Sequence, residues 1–521
     1  MKYGTKTIKL LLACAIVFGV SYFYLSYYRN VLYDLTADEG YILYGAKRVL
    51  DGQILYKDFF QFYPPGDFYL LALMYKLFGY SFAVAHEVAI IIDSLINALF
   101  FYLSYKAIKS WYAILPPLYF LILGFPNWMQ YSHYWSSMLF LFVSLVFFLH
   151  YIEQNKALYL YLTGFWVAIT GLFLQTTGVY AVLVILLVLL LNKRMEKGFV
   201  KHLLLFFVNI CIPLFIVFGY IAIKGGLIDF IKEQYFLLKI YAEAGTFNPI
   251  KLYFNNSPLA YPVYPYRIIF LLYVGTAVLS AITLTFLRKK ISGNVKVILM
   301  AYIILFLDST SRMDFDHILI NSSIFFTCIL FPVKLLLQFT KQKVKPLYKG
   351  FYYVFGCIGI LLAMWGAISI RSNIINLTSR TYKITINSNH LLMFNHAEAN
   401  EINEFIPQAK KLLNGAKRVF VYPYGADLYV LLNLDNPTFT DMIPTIMNIP
   451  DYGEYSFNKI VNNIIKQNID YIIYCNWPNN YINAILTLEG KKYHVNVLDK
   501  FIHAHYIPVL QVNELILYKK I

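Results

Sequence analysis

Long apolar runs separated by short polar ones dominate this chain. A helix that crosses a bilayer needs roughly 20 mostly apolar residues. Eleven runs qualify as candidates, at about 7–28, 82–108, 111–124, 134–152, 157–174, 176–191, 199–223, 266–287, 295–309, 316–339 and 349–370. The run 68–80 is apolar but only about 13 residues long, which predicts an interfacial helix rather than a span. Past residue 370 the pattern changes. Arg418–Tyr422 and Asp470–Tyr474 read as buried strands. Between them Ile460, Val461, Ile464 and Ile465 recur at helical spacing, within an amphipathic segment from Phe457 to Gln467. Tyr506–Val512 and Glu514–Lys519 predict a closing hairpin that turns near Asn513. The expected fold class is an α-helical polytopic membrane protein with a small C-terminal extracytoplasmic α/β domain. The expected boundary lies between residues 1–370 and 371–521.

Composition agrees with the pattern. The 521 residues are 59% hydrophobic and 14% charged, with a mean hydropathy of +0.57. Soluble domains carry roughly 25% charged residues. A net charge of +16 could suggest nucleic acid, but in a membrane protein the position of the charges matters more than their sum. Lys and Arg gather at residues 2–9, 106–109, 156, 193–201, 288–296 and 341–349, while the short loops near 125–133, 175 and 309–315 carry almost none. This positive-inside bias predicts a cytoplasmic N-terminus. It puts residues 29–67, 224–265 and everything after 371 outside. The N-terminus resembles a signal peptide, but its apolar run is too long and no small-residue cleavage site follows, so an uncleaved first helix is expected. Five scattered cysteines form no CxxC and read as core residues. The abundance of Ile, Lys, Asn and Tyr suggests a bacterium with an AT-rich genome, hence its cytoplasmic (inner) membrane.

The chemistry concentrates in residues 34–66, just after the first apolar run. Asp34, Asp38, Glu39, Asp51 and Asp58 all fall here, followed by Tyr63-Pro64-Pro65-Gly66. A connecting loop needs none of this. A glycosyl transfer needs a carboxylate base to take a proton from the attacking hydroxyl as the sugar carbon becomes positive. The plainer reading is that Asp38 and Glu39 cap a juxtamembrane helix, whose first turn favours acids.

The wider pattern resembles a known family. Asp38-Glu39-Gly40, Asp51-Gly52, Leu55-Tyr56-Lys57-Asp58-Phe59 and Tyr63-Pro64-Pro65-Gly66 are similar to the first outer loop of membrane glycosyltransferases of the GT-C superfold. The nearest group is the bacterial one related to protein O-mannosyltransferases and lipid A aminoarabinose transferases (glycosyltransferase family 39). The resemblance implies that Asp38 is the base, with Glu39 beside it. It implies a sugar donor on a polyprenyl phosphate and inversion at the anomeric carbon. The chain departs from the family in the next outer loop, 124–135, which has no carboxylate. Asn127, Gln130 or His133 could orient an acceptor there, although Trp128, Tyr131, Tyr134 and Trp135 also suit an interfacial aromatic belt. Where relatives place a Lys before Pro-Pro, this chain has Tyr63, and Lys57 is the nearest cation.

A second constellation is Asp308-Ser-Thr-Ser-Arg312-Met-Asp314-Phe-Asp316-His317. Arg offers a forked donor for phosphate, and a helix N-terminus attracts it. Arg312 and His317 are the phosphate candidates, with Asp314 holding them; a self-satisfied cap is the simpler alternative. The candidate substrate-binding set is thus Lys57, Asp58, Tyr63, His133, Arg312, Asp314 and His317. The tyrosine-rich loop 224–265 could act as a lid. Asp93 and Asn97, one turn apart, more simply bond neighbouring helices than relay protons. Asp38, Glu39 and Asp58 could hold a divalent cation, but three carboxylates are weak support, and neither metal nor cofactor is expected. The expected partners are a polyprenyl-phosphate sugar, a lipid, glycan or protein acceptor, and membrane lipid, with no nucleic acid. A transporter or flippase of lipid-linked envelope precursors is the rival, yet no inverted repeat or Gly/Pro-broken midplane helix is visible. A non-catalytic receptor scaffold would leave the acidic loop without purpose.

Overall fold

The apolar runs become helices. In the computed structural model the described residues are 2–32, 38–123, 126, 128, 130–193, 198–243, 264–286, 288–310, 381–386, 389–393, 395–423, 425–441, 450–476 and 496–521. The first helix is α1 (Lys2–Leu25). Next come α2 (Asp38–Leu50), α3 (Gly66–Phe78) and α4 (Phe82–Ile108). A 3-10 turn, Trp111–Ile114, leads into α5 (Leu115–Leu123). There follow α6 (His133–Gln154), α7 (Ala157–Phe173), α8 (Gln175–Lys193), α9 (Phe199–Ile223) and α10 (Leu227–Glu243). The body ends with α11 (Tyr264–Phe286) and α12 (Gly293–Ser309). Among the described residues, four helical stretches, Thr7–Tyr28, α4, α6 and α9, are long and apolar enough to cross a membrane. The run 111–124 is broken instead. Pro116 and Pro117 have no N–H to donate and are tolerated only in a first turn, so α5 starts afresh there. The runs 316–339 and 349–370 lie outside the described residues.

Helix α3 forms as the 13-residue segment expected, too short to span. The stretch 29–67 contains more order than a loop. Helix α2 fills its middle, and Tyr41 to Ala46 are all buried. Similarly, α10 occupies the start of 224–265, whose residues 244–263 are outside the described set.

The C-terminal part opens on an antiparallel hairpin, β1 (Tyr382–Ile386) and β2 (Asn389–Met393). Helix α13 (His396–Leu413) buries Ala399, Ile402, Phe405, Ile406 and Ala409 along one stripe. Strand β3 (Phe420–Tyr422), helix α14 (Asp427–Leu432), helix α15 (Pro450–Lys466) and strand β4 (Tyr471–Cys475) follow. Helix α16 (Asn496–His505), β5 (Tyr506–Val512) and β6 (Leu515–Lys520) close the chain. The sheet order is β3-β4-β6-β5, with β3 and β4 parallel and the rest antiparallel. Asn513 turns the final hairpin with a positive φ, which Asn tolerates. On α15, Phe457, Ile460 and Ile464 are buried, whereas Ile465, one position past that stripe, is 59% exposed.

The C-terminal part is fastened to the body through its hairpin and its core. Leu32 N–H donates to Leu392 O at 2.8 Å and Leu392 N–H to Asn30 O at 2.8 Å. Phe60, 1% exposed, lies in one cluster with Phe420, Tyr422, Phe439, Phe457 and Ile460. Its N–H donates to Phe439 O at 2.6 Å. The first loop and the C-terminal domain therefore share a core.

Candidate active site

Asp38 and Glu39 open α2, so both the plain and the chemical readings start from the same first turn. Successive helical residues point about 100° apart at 3.6 residues per turn. The two acids therefore meet different surroundings. Glu39 is 1% exposed. Its Oε1 lies 2.8 Å from His86 Nε2 and accepts the Tyr131 N–H at 2.6 Å. His86 Nδ1 sits 2.8 Å from the Arg29 carbonyl oxygen. A carbonyl can only accept, so Nδ1 carries a proton, and the short Nε2 to Oε1 contact needs a second one between them. Glu39 thus ties α2 to α4 and to the segment entering α6.

Asp38 is only half-buried. Its Oδ2 accepts from the Tyr63 hydroxyl at 2.8 Å. Tyr63 is held from behind. Tyr56 OH donates to Tyr63 O at 2.9 Å, and Gln234 Nε2 on α10 donates to Phe62 O at 3.0 Å. Gln61 N–H donates to Glu233 Oε2 at 3.4 Å. Burial pushes the Glu233 carboxyl well above the usual carboxylate range, against the pull of the Gln61 N–H. The Tyr63 ring packs on His133 with centroids 4.3 Å apart, and on Phe62 at 4.2 Å. The expected residues Asp38, Tyr63 and His133 are therefore neighbours.

A third acid underlies this corner. Asp67, in the first turn of α3, accepts from Tyr131 OH at 2.6 Å and Ser136 OH at 2.7 Å through one oxygen. Burial raises its carboxyl to about 7, although both hydroxyls pull the other way. Tyr131 accordingly bridges two acids, with its N–H on Glu39 and its hydroxyl on Asp67.

The remaining candidates are spread out. Lys57 Nζ donates to the Lys224 carbonyl at 3.2 Å, beyond the end of α9. Asp58 Oδ2 accepts the Ile54 N–H at 2.7 Å and closes its own turn. Gln130 is buried. Asn127, Arg312, Asp314, Asp316 and His317 lie outside the described residues. Asn97 bonds Ser21 of α1 at 2.7 Å, while Asp93 is buried in α4 with no hydrogen bond among the described residues. No group of three metal-ligating side chains occurs among the described residues.

Sequence reasoning missed His86, Asp67, Ser136 and Glu233. For His86 a signal existed, because an ionisable group inside an apolar helix calls for a partner. It also missed the clamp on α2. Arg48 reaches Asp441 at 2.5 Å, Thr438 O at 2.8 Å and Gln53 at 2.8 Å. Tyr44 stacks on Tyr429 at 4.5 Å, and Asn436 N–H donates to its hydroxyl at 2.6 Å.

No protein-family model matches the chain, and no curated protein matches it. Among solved structures the chain is similar to "Crystal Structure of ArnT from Cupriavidus metallidurans bound to Undecaprenyl phosphate". The identity is 11% and the TM-score 0.48, over 99% of this chain and 98% of that one. At that distance the likeness transfers no residue and no ligand to this chain.

Proposed function

We propose that this chain is an integral membrane glycosyltransferase that moves a sugar from a polyprenyl-phosphate donor to an extracytoplasmic acceptor hydroxyl, inverting the anomeric carbon. The observation that carries the reading is the division of labour between two adjacent acids. Glu39 is buried inside the protein, where one oxygen serves His86 and the Tyr131 N–H. Asp38 stays half-buried, with one oxygen held by Tyr63. A base needs that arrangement, fixed but reachable.

In the proposed step Asp38 takes the proton from the acceptor hydroxyl. The acceptor oxygen attacks the anomeric carbon, and the bond to phosphate breaks with its electron pair leaving on polyprenyl phosphate. Tyr63 fixes the Asp38 carboxylate in place through its hydroxyl, leaving the other oxygen for the incoming proton. His133, stacked on Tyr63, lines the acceptor side. Arg312 and His317, with Asp314 behind them, are proposed to meet the phosphate. Lys57, turned to the Lys224 carbonyl, keeps protons to spare for it. The N-terminus is proposed to lie in the cytoplasm of a bacterium and the α/β domain outside its inner membrane.

The test uses purified full-length protein in detergent and a panel of polyprenyl-phosphate sugars, with free polyprenyl phosphate as readout. Wild type releases it from at least one donor. Asp38→Asn slows release about a hundredfold or more, the usual worth of a general base. Undiminished release by folded Asp38→Asn would overturn the assignment.

A further inference from the structure

A polar cleft of about 690 Å³ opens between the first loop and the outer domain. Ligand sites of this size, roughly 300–1,000 Å³, are usually lined by apolar side chains. Here the lining includes Arg48, Lys57, Asp58, Arg418, Asp435 and Asn436. It draws on parts of the chain more than 350 residues apart.

One wall is rigid. Arg48 is locked by Asp441 and Thr438 O. Asn436 Nδ2 donates to Thr440 O at 2.5 Å and to Asp441 at 3.0 Å, and its Oδ1 accepts from Thr438 N at 2.8 Å. The opposite groups are open. Arg418 and Asp435 face each other across a single parallel bridge, held by backbone bonds only. Both are exposed, and neither side chain makes a hydrogen bond or ion pair among the described residues. Lys57 and Asp58 each spend one bond on backbone and keep further capacity, three protons on an ammonium and about four lone pairs on a carboxylate.

The lining therefore offers both donors and acceptors. A polyanion would meet Asp58 and Asp435, and a polycation would meet Lys57 and Arg418. A polyhydroxyl chain satisfies both kinds, because each hydroxyl donates and accepts.

The geometry points to a saccharide-binding exosite, which takes sugar units of the acceptor remote from the hydroxyl that reacts. Tyr44 and Arg48 lie about 9 and 15 Å along α2 from Asp38 at 1.5 Å per residue. An acceptor of several sugar units spans that length. Binding energy gathered there holds the reacting hydroxyl at Asp38. The acceptor role rests on the glycosyltransferase reading; the sugar-binding cleft itself does not.

The experiment measures binding of fluorophore-labelled linear tetrasaccharides, one of neutral hexose and one of N-acetylhexosamine, to full-length detergent-purified protein. Inorganic polyphosphate is the competitor. A tetrasaccharide binds wild type, and Arg418→Ala and Asp435→Ala each weaken it about tenfold, the worth of one charge-assisted hydrogen bond. Both variants keep wild-type donor hydrolysis, since neither touches Asp38, Tyr63 or His133. Polyphosphate fails to displace the sugar. No tetrasaccharide binding, equal binding in both variants, or displacement by polyphosphate each overturns the exosite. Variant-sensitive sugar binding in a protein that hydrolyses no donor keeps the cleft and sinks the glycosyltransferase reading instead.

Discussion

Cutting the Glu39–His86 contact from either side gives the sharpest test of the site's architecture. Both side chains are at most 2% exposed. Glu39→Ala leaves the Tyr131 N–H buried without its acceptor and strips His86 Nε2 of its carboxylate. Breaking a buried pair from one side costs about 3–5 kcal/mol, mostly because the abandoned group stays buried. An unmatched buried N–H accounts for about 1–3 kcal/mol of such a loss. Glu39→Ala should therefore destabilise by about 4 kcal/mol, and His86→Ala by a similar amount. The double variant abandons no charged partner, so its loss falls short of the two single losses added together by about 2 kcal/mol. The assay is denaturant-driven unfolding in mixed micelles, followed by tryptophan fluorescence, for all four proteins. Additivity within about 0.5 kcal/mol, as for independent distant sites, would refute the pairing and with it the positioning role of Glu39.

Tyr63→Phe removes the hydroxyl that holds Asp38 and keeps the ring on His133; donor turnover should fall about tenfold, one hydrogen bond to a charged group, with unchanged unfolding, and wild-type turnover would contradict the role. Burial raises the Asp67 carboxyl in the folded state from its ordinary 3.8 to about 7, so the folded protein binds more protons between pH 4 and 7 and loses stability as pH rises across that window. Asp67→Asn, which keeps an oxygen for Tyr131 and Ser136, should flatten that loss, worth up to about 4 kcal/mol, and parallel melting-versus-pH curves would count against it. At Gly40 an added Cβ would overlap the backbone nitrogen of Asp427 and its carboxylate; Gly40→Ala should loosen α14 from α2, detectable as faster proteolysis of the outer domain at unchanged body fold.

Much of the fold was legible because burial in lipid and in a small sheet both leave strong periodic signals. The apolar runs gave α4, α6 and α9, and Asn513 was read as a turn. Strand β4 showed itself through Tyr-Ile-Ile-Tyr, buried along most of its length. Helix α2 was less visible, since its buried residues cover every face and mix Gly, Tyr and Arg with aliphatics. No amphipathic period exists when both faces are covered. For the site, Asp38, Tyr63 and His133 were named from one loop and its resemblance, and they lie together. His86, Asp67 and Ser136 were not, because each acts through a partner far along the chain. Glu39 and His86 are 47 residues apart, which no local pattern connects.

The same distance problem hid the C-terminal domain's part in the site. Read along the chain, that domain is an appendage; in space its described residues hold α2. Arg48 is buried against Asp441, Tyr44 against Tyr429, and Gly40 against Asp427. Those three positions line the same helix that opens with Asp38. Phe60, three residues before Tyr63, is rooted in the C-terminal domain's own core. Undocking that domain would expose an Arg48 charge without its partner and empty the Phe60 socket at once. Each loss alone costs about 3–5 kcal/mol, so the domain and α2 stay together. The Tyr63 corner is held by different partners, His133 against its ring and α10 on the Phe62 carbonyl. Helix α10 also bonds α8, where Gln175 Nε2 donates to Gln234 Oε1 at 3.2 Å, and packs Phe230 on Tyr56. Through Gln234 and Glu233 it holds the segment that carries Tyr63, and through Tyr63 the carboxylate of Asp38.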